Sequence, residues 1–166
     1  MILGMSTAAF TFLHVLISLV GIGAGLIVMY GFLNAKRLDG MTALFLITTV
    51  LTSITGFGFP FDHLLPPHKI GIISLVVLAV TIPARYVFHT AGSWRWIYVV
   101  GAAIALYLNV FVLVVQVFQK VPAINALAPT QTEPPFLVAQ VFVMFIFIGL
   151  TYLAVKRFHL GPARSV

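Results

Sequence analysis

The sequence predicts an all-α integral membrane helical bundle with five transmembrane helices, an outside N-terminus and a cytoplasmic C-terminus. Of its 166 residues, 61% are hydrophobic and 7% are charged, and the mean hydropathy is +1.15. Soluble domains carry about 25% charged residues, so this composition cannot provide the surface of a water-soluble domain. Several apolar runs reach the roughly 20 residues that a helix needs to cross the hydrocarbon layer.

Five apolar runs account for the predicted spans, and together they predict a single transmembrane domain over residues 1–166. The first run begins after Ser6 or Thr7, either of which can cap a helix. At about 1.5 Å per residue, it is long enough to span a bilayer with some tilt. The predicted spans are residues 8–33, 41–61, 70–88, 96–118 and 136–155.

The distribution of Lys and Arg predicts the orientation of these spans. Seven cations fall on one side of the predicted membrane and two on the other. Because Lys and Arg collect in cytoplasmic loops, the richer side is predicted to be cytoplasmic. The seven are Lys36, Arg37, Arg85, Arg95, Lys156, Arg157 and Arg164, and the two are Lys69 and Lys120.

The connection of residues 119–135, QKVPAINALAPTQTEPP, is long for a small bundle. Its prolines stiffen it, while Ile124, Leu127 and Ala128 give it apolar surface to bury. We therefore expect an ordered flap on the outer face.

Composition also excludes several classes of function. The chain has no cysteine, which excludes disulfides, thiolate metal sites, iron–sulfur clusters and covalent c-type haem. The net charge of +6 follows from the cytoplasmic cations, so no nucleic-acid binding is predicted. The N-terminal run lacks a basic leader and a cleavage site, and it is interpreted as a retained span.

Ionisable side chains are rare, yet several gather in residues 58–70, GFPFDHLLPPHKI. With the predicted orientation, this segment and other polar groups lie near the outer surface. Imidazoles and carboxylates are the usual ligands of zinc, copper and non-haem iron. The predicted ligand or metal residues are His14, Asp62, His63, His68 and Glu133, with supporting polar residues Gln116, Gln131, Gln140 and, near mid-membrane, Asn109.

One face of the first span also carries small residues at helical spacing. Ser18, Gly21 and Gly25 share this face with His14, and the two glycines allow close helix contact. The alternative interpretation of His14 is therefore a packing seam in which a neighbouring helix satisfies the imidazole.

Four functions remain open from the sequence. The favoured one is an outward-facing pocket of His, Asp and Glu that binds a metal ion, a cofactor or a small ligand. The alternatives are a structural or accessory subunit of a larger membrane complex, a proton or ion pathway, and a b-type haem protein. Haem would use His14 with His63 or His68, or His89 with His159. No catalytic motif is evident. The predicted partner is the lipid bilayer, and the sequence is compatible with a homo-oligomer or a larger membrane complex.

Residues 106–136, LYLNVFVLVVQVFQKVPAINALAPTQTEPPF, and the earlier HLLPPHKIG stretch carry a resemblance to known proteins. They resemble small multi-pass bacterial inner-membrane proteins of unknown function. The resemblance implies a multi-pass location in the bacterial inner (cytoplasmic) membrane and carries over no functional residues.

Overall fold

The computed structural model describes residue 2, residues 4–59 and residues 66–159. Within this part the chain is all-α, as predicted, and five of its six helices are long and apolar enough to cross a membrane. The helices are α1 (Thr7–Leu33), α2 (Asp39–Gly56), α3 (Pro66–Tyr86), α4 (Trp94–Lys120), α5 (Pro122–Asn125) and α6 (Pro134–Arg157). The protein is therefore a multi-pass membrane protein.

The helix ends follow from local sequence signals. Ser6 caps α1, because its hydroxyl accepts a hydrogen bond from the Ala9 amide at 3.2 Å. Proline occupies the first turn of both α5 and α6, where its missing N–H costs nothing. Helix α2 ends at Gly56, earlier than the predicted span, and α3 begins earlier, at Pro66.

The small residues of α1 lie where other helices approach it most closely. A Cβ atom built on Gly21 would lie 2.9 Å from the Thr48 hydroxyl of α2. A Cβ atom on Gly25 would lie 2.6 Å from Leu106 of α4 and 2.9 Å from the Phe45 ring of α2. Three helices therefore meet at the level of Gly25, in the centre of the main hydrophobic core.

Contacts between helices define two ends of the bundle. At the first, Arg85 of α3 pairs with Asp39 of α2, and Arg95 of α4 binds the last carbonyls of α6. We call it the basic end, because it collects the described cations Lys36, Arg37, Arg85, Arg95, Lys156 and Arg157. The opposite end, called the histidine end, contains His14 of α1 and His68 of α3 beside the last turn of α2.

The outer surface of the bundle is apolar along its length. Helix α6 exposes large side chains such as Val138, Phe142 and Phe145, as a helix in contact with lipid does. An open apolar groove with a volume of about 460 Å³ runs between α4 and α6, beside Tyr107, Met144 and Ile148.

The predicted flap is ordered around the short helix α5. Ala128 is fully buried against Phe118 at the end of α4 and Phe136 at the start of α6. The Asn125 side chain donates to the Phe118 carbonyl at 2.9 Å. The connection thus folds back onto the two helices that it joins.

Candidate functional site

Most hydroxyl groups of α2 are engaged within their own helix, as their number in one span predicts. The hydroxyls of Thr48, Thr49 and Ser53 donate to backbone carbonyls one turn earlier at 2.6, 2.7 and 2.9 Å. Thr55 does the same, donating to the Leu51 carbonyl at 2.7 Å. Because these hydroxyl protons are used within α2, the hydroxyl oxygens can bond to neighbouring helices mainly by accepting hydrogen bonds.

The contact between His14 and Thr55 indicates which nitrogen of the imidazole carries a hydrogen. The His14 Nδ1 atom lies 2.8 Å from the Thr55 hydroxyl oxygen. Since Thr55 gives its own proton to Leu51, the imidazole must be the donor, and Nδ1 carries a hydrogen. In the neutral ring this leaves Nε2 with a lone pair. No second hydrogen bond to this ring is recorded among the described residues.

Small and aromatic groups surround the His14 ring. The Phe59 ring packs edge-on, with centroids 5.3 Å apart, and Gly56 leaves space beside the imidazole, because a Cβ there would stand 3.9 Å from Cε1. Ser18 donates to the His14 carbonyl at 2.8 Å and lies 3.3 Å from the Thr52 hydroxyl. The half-buried imidazole is thus held in one orientation by α1 and α2 together.

His68 also lies beside the end of α2. Its side chain is buried, and its ring packs against Phe57 with centroids 5.7 Å apart. Phe59, two residues further on, packs against both His14 and Phe10. The segment that ends α2 therefore contacts each imidazole through a different phenylalanine.

Two predicted ligands, Asp62 and His63, lie outside the described residues. In the part of the chain that is described, no group of three or more His, Cys, Asp or Glu side chains could hold a metal ion. His14 and His68 are the two predicted ligands that the structure places beside one turn.

The carboxylate of Glu133 binds within its own turn. It accepts hydrogen bonds from the Thr130 hydroxyl at 2.8 Å and from the Thr130 and Thr132 amides at 3.1 and 3.0 Å. Desolvation acts to raise the pKa of Glu133, but these hydrogen bonds outweigh it and lower the pKa below its ordinary value. This carboxylate closes the turn that precedes α6.

The amide side chains predicted to support the site are spread along the bundle. Asn109 of α4 donates to the Thr49 hydroxyl of α2 at 3.2 Å, while Gln131 donates to the Val115 carbonyl at 3.4 Å. Gln140 donates to the Phe111 carbonyl at 3.2 Å, and its buried Oε1 has no partner among the described residues. Gln116 is half-buried near the end of α4. These contacts join α4 to α2, to the flap and to α6.

The histidines of the basic end are in different local settings. His89 is exposed in the turn after α3, with a φ of 48°. His159 is exposed after α6, and its Nδ1 lies 3.0 Å from Nη1 of Arg95. Since arginine can only donate, this nitrogen of His159 is an acceptor and is already in use.

Arg85 is the functional candidate that the sequence did not single out. Charge counting places it among surface anchors of a cytoplasmic loop, but it belongs to the last turn of α3 and its side chain is only 2% exposed. The sequence signal for Arg85 is Asp39, which is one of three acidic residues in the chain. A carboxylate at the start of α2 indicates that a cation from a neighbouring helix pairs with it.

Comparisons of the chain with protein-family models, with curated proteins and with solved structures find no match. The assignment therefore follows from the helices and the contacts described above. The chain is an all-α, multi-pass membrane protein with His14 and His68 near one end and six of its described cations at the other.

Proposed function

We propose that the histidine end binds a divalent transition-metal ion, with Nε2 of His14 as its principal ligand. The observation that carries this proposal is the 2.8 Å hydrogen bond between Nδ1 and Thr55. A ligating histidine normally donates its other nitrogen to a neighbouring oxygen, which fixes the tautomer and increases the basicity of the ligand. The His14–Thr55 pair has this arrangement.

Further ligands would come from the residues that join α2 to α3. This connection carries Asp62 and His63 in the sequence, and both of its ends are next to an imidazole contact, at Phe59 and at His68. Imidazole and carboxylate together suit zinc, copper or iron. Glu133 is left out, because its carboxylate is bound within its own turn.

The orientation that belongs to this proposal places the histidine end outside. The six described cations of the basic end, against Lys69 and Lys120 at the other, support a cytoplasmic basic end. The chain lacks cysteine, so single-cysteine variants give a clean test. In intact cells, a membrane-impermeant maleimide should label Lys120→Cys and leave Lys36→Cys unlabelled, and the reverse pattern would refute the orientation.

Cobalt titration tests the metal site directly. Protein purified in detergent and stripped of metal should bind Co²⁺ with visible ligand-field bands, and His14→Gln should weaken that binding by about tenfold or more, as loss of a ligand does. His89→Gln is the matched control, since it removes an exposed imidazole at the other end. Equal binding by both variants, or no binding by the wild type, would refute the proposal.

A proton pathway along α2 has less support from the same contacts. Thr48, Thr49 and Thr55 already donate their protons to carbonyls of their own helix, which leaves them unable to pass protons without rearrangement. Proton flux in liposomes that falls in His14→Gln, without any metal binding, would favour the pathway over the metal site. Stoichiometric partner chains in the purified sample would favour an accessory subunit.

A further inference from the structure

The guanidinium group of Arg85 is buried with part of its hydrogen-bonding capacity unused. The side chain is 2% exposed, and Nη2 pairs with the Asp39 carboxylate. Nε and Nη1 are buried and have no hydrogen-bond partner among the described residues. The Cζ atom of Arg85 lies over the Tyr98 and Tyr86 rings, at 5.4 and 5.9 Å from their centroids. Aromatic faces attract the cation but do not accept its in-plane N–H groups.

Such donors are costly unless something accepts them. Arginine stays protonated in proteins, so Arg85 cannot avoid the cost by losing its charge. The recess around the guanidinium encloses no water-sized space of its own. The described residues leave these donors without an acceptor, so an anion that reaches them from the surface, beside Lys36 and Arg37, would supply one.

The mouth of this recess carries excess positive charge. Lys36 and Arg37 line it together with Arg85, and Asp39 is the one carboxylate among the described residues that pairs with them. The Asp39 side chain is 68% exposed and also accepts a hydrogen bond from Arg37 at 2.9 Å. An exposed carboxylate shared by two guanidinium groups is an acceptor that another anion can replace.

The first turn of α2 adds to the attraction for anions. Helix α2 begins at this point, and Leu38, its N-terminal flanking residue, forms no capping hydrogen bond through its side chain. The amides at a helix N-terminus carry partial positive charge and favour anions. The recess therefore combines two guanidinium groups, one ammonium group and a helix N-terminus.

We propose that this recess, formed by Lys36, Arg37 and Arg85, binds a phosphate-class anion by displacing Asp39. Phosphate oxygens match the donors of guanidinium and ammonium groups. The site lies where α1 and α3 end and α2 begins, and basic pockets between transmembrane helices bind anionic headgroups. The phosphate belongs either to an anionic phospholipid or to a soluble ion.

The test compares variants of delipidated protein in detergent. When equal amounts of phosphatidylglycerol and phosphatidylcholine are added, native mass spectrometry should show that wild type binds phosphatidylglycerol in preference. Arg85→Lys keeps the charge but loses the planar donors, and it should weaken this binding by about tenfold. Lys36→Gln should weaken it severalfold, and it changes an exposed residue whose loss leaves the core intact. Lys156→Gln is the matched control, since it removes the same charge at the same end, beside Tyr152.

Asp39→Asn provides a test of opposite sign. It removes the competing carboxylate, so the anion should bind severalfold more tightly. Thermal melting distinguishes a lipid phosphate from a soluble one. If inorganic phosphate raises the melting temperature and phosphatidylglycerol does not, the site binds a soluble ion. If phosphatidylglycerol raises it and inorganic phosphate does not, the site binds lipid. If neither ligand stabilises the protein, or if Lys156→Gln and Lys36→Gln act equally, the site does not exist.

Discussion

The two ends of the bundle satisfy buried polar groups in different ways. At the basic end the buried Arg85 keeps its charge and shares an exposed carboxylate, Asp39, with Arg37. At the histidine end His14 donates a hydrogen bond from Nδ1 to the Thr55 hydroxyl. The first arrangement is electrostatic and open to competing ions, whereas the second is directional and is organised around a single lone pair. In the two proposals the ends therefore bind ligands of opposite charge, because each end satisfies its buried polar group in its own way.

The largest effect should come from removing the counter-charge of Arg85. Asp39→Asn leaves a buried cation unpaired, and the unfolding free energy in mixed micelles should fall by about 2–3 kcal/mol. The figure lies at the low end for a broken ion pair because the carboxylate is exposed. Arg37→Gln removes the other partner of Asp39 and should cost less than about 1 kcal/mol. Equal losses of unfolding free energy in the two variants would show that Arg85 is solvated. The two ends would then not differ in how they satisfy buried polar groups.

In the middle of the bundle, substitutions should change the unfolding free energy through steric packing and not through charge, in contrast to both ends. Gly25→Ala places a methyl group against Leu106 and Phe45, and overpacking of this kind should cost about 1–2 kcal/mol. Gly23 lies on the same helix with nothing within 4 Å of a built Cβ. Gly23→Ala should therefore stabilise the helix by about 0.5–1 kcal/mol. A loss of unfolding free energy in both variants would indicate that helix propensity, and not contact, controls α1.

At the histidine end a smaller loss is expected when Thr55 is replaced. Thr55→Val removes the acceptor of the Nδ1 proton, and the unfolding free energy should fall by about 1 kcal/mol. Thr151→Val is the control, because the Thr151 hydroxyl bonds to Phe147 of its own helix. Nitrogen NMR of the imidazole should show that Nδ1 loses its fixed proton in Thr55→Val alone; an unchanged spectrum would contradict the assigned tautomer.

The smallest effect is expected for the pH dependence of the turn before α6, where Glu133 places a carboxylate at the histidine end. The pKa of Glu133 is lowered in the folded protein, so the turn is fully stabilised above the ordinary value of about 4.3. Its stability should be lost as the pH falls below that value through the lowered pKa. Amide exchange at Thr130 and Thr132 should accelerate in that range relative to neighbouring amides. In Glu133→Gln the same amides should show no such transition.

The fold was predictable because the membrane imposes simple rules on the sequence. An apolar run of sufficient length in a bilayer must be helical, so five helices followed from hydropathy. The Ser6 cap, which is confirmed, is equally local, as are the hydrogen bonds of the α2 hydroxyls to carbonyls of their own helix. The earlier end of α2, at Gly56, was not predictable, because the apolar run continues through Phe57 and Phe59 while the helix does not.

The sites were less predictable because their contacts join residues far apart in the chain. Thr55 lies 41 positions from His14, and Asp39 lies 46 positions from Arg85. Counting charges treats every arginine in the same way, so it could not separate the buried Arg85 from the exposed Arg37. For Glu133, two threonines within three residues indicated a local turn, a signal that a search for metal ligands overlooks.

The meeting of three helices at Gly25 limits how the two ends can influence each other. Leu106 and the Phe45 ring both pack against α1 at Gly25. Sliding α1 along its axis would therefore break both of these packing contacts. Tilting α1 about this point keeps both in place. A mechanical signal across this membrane protein would therefore travel as a lever movement about Gly25, with opposite displacements at His14 and Phe32, and not as a piston stroke.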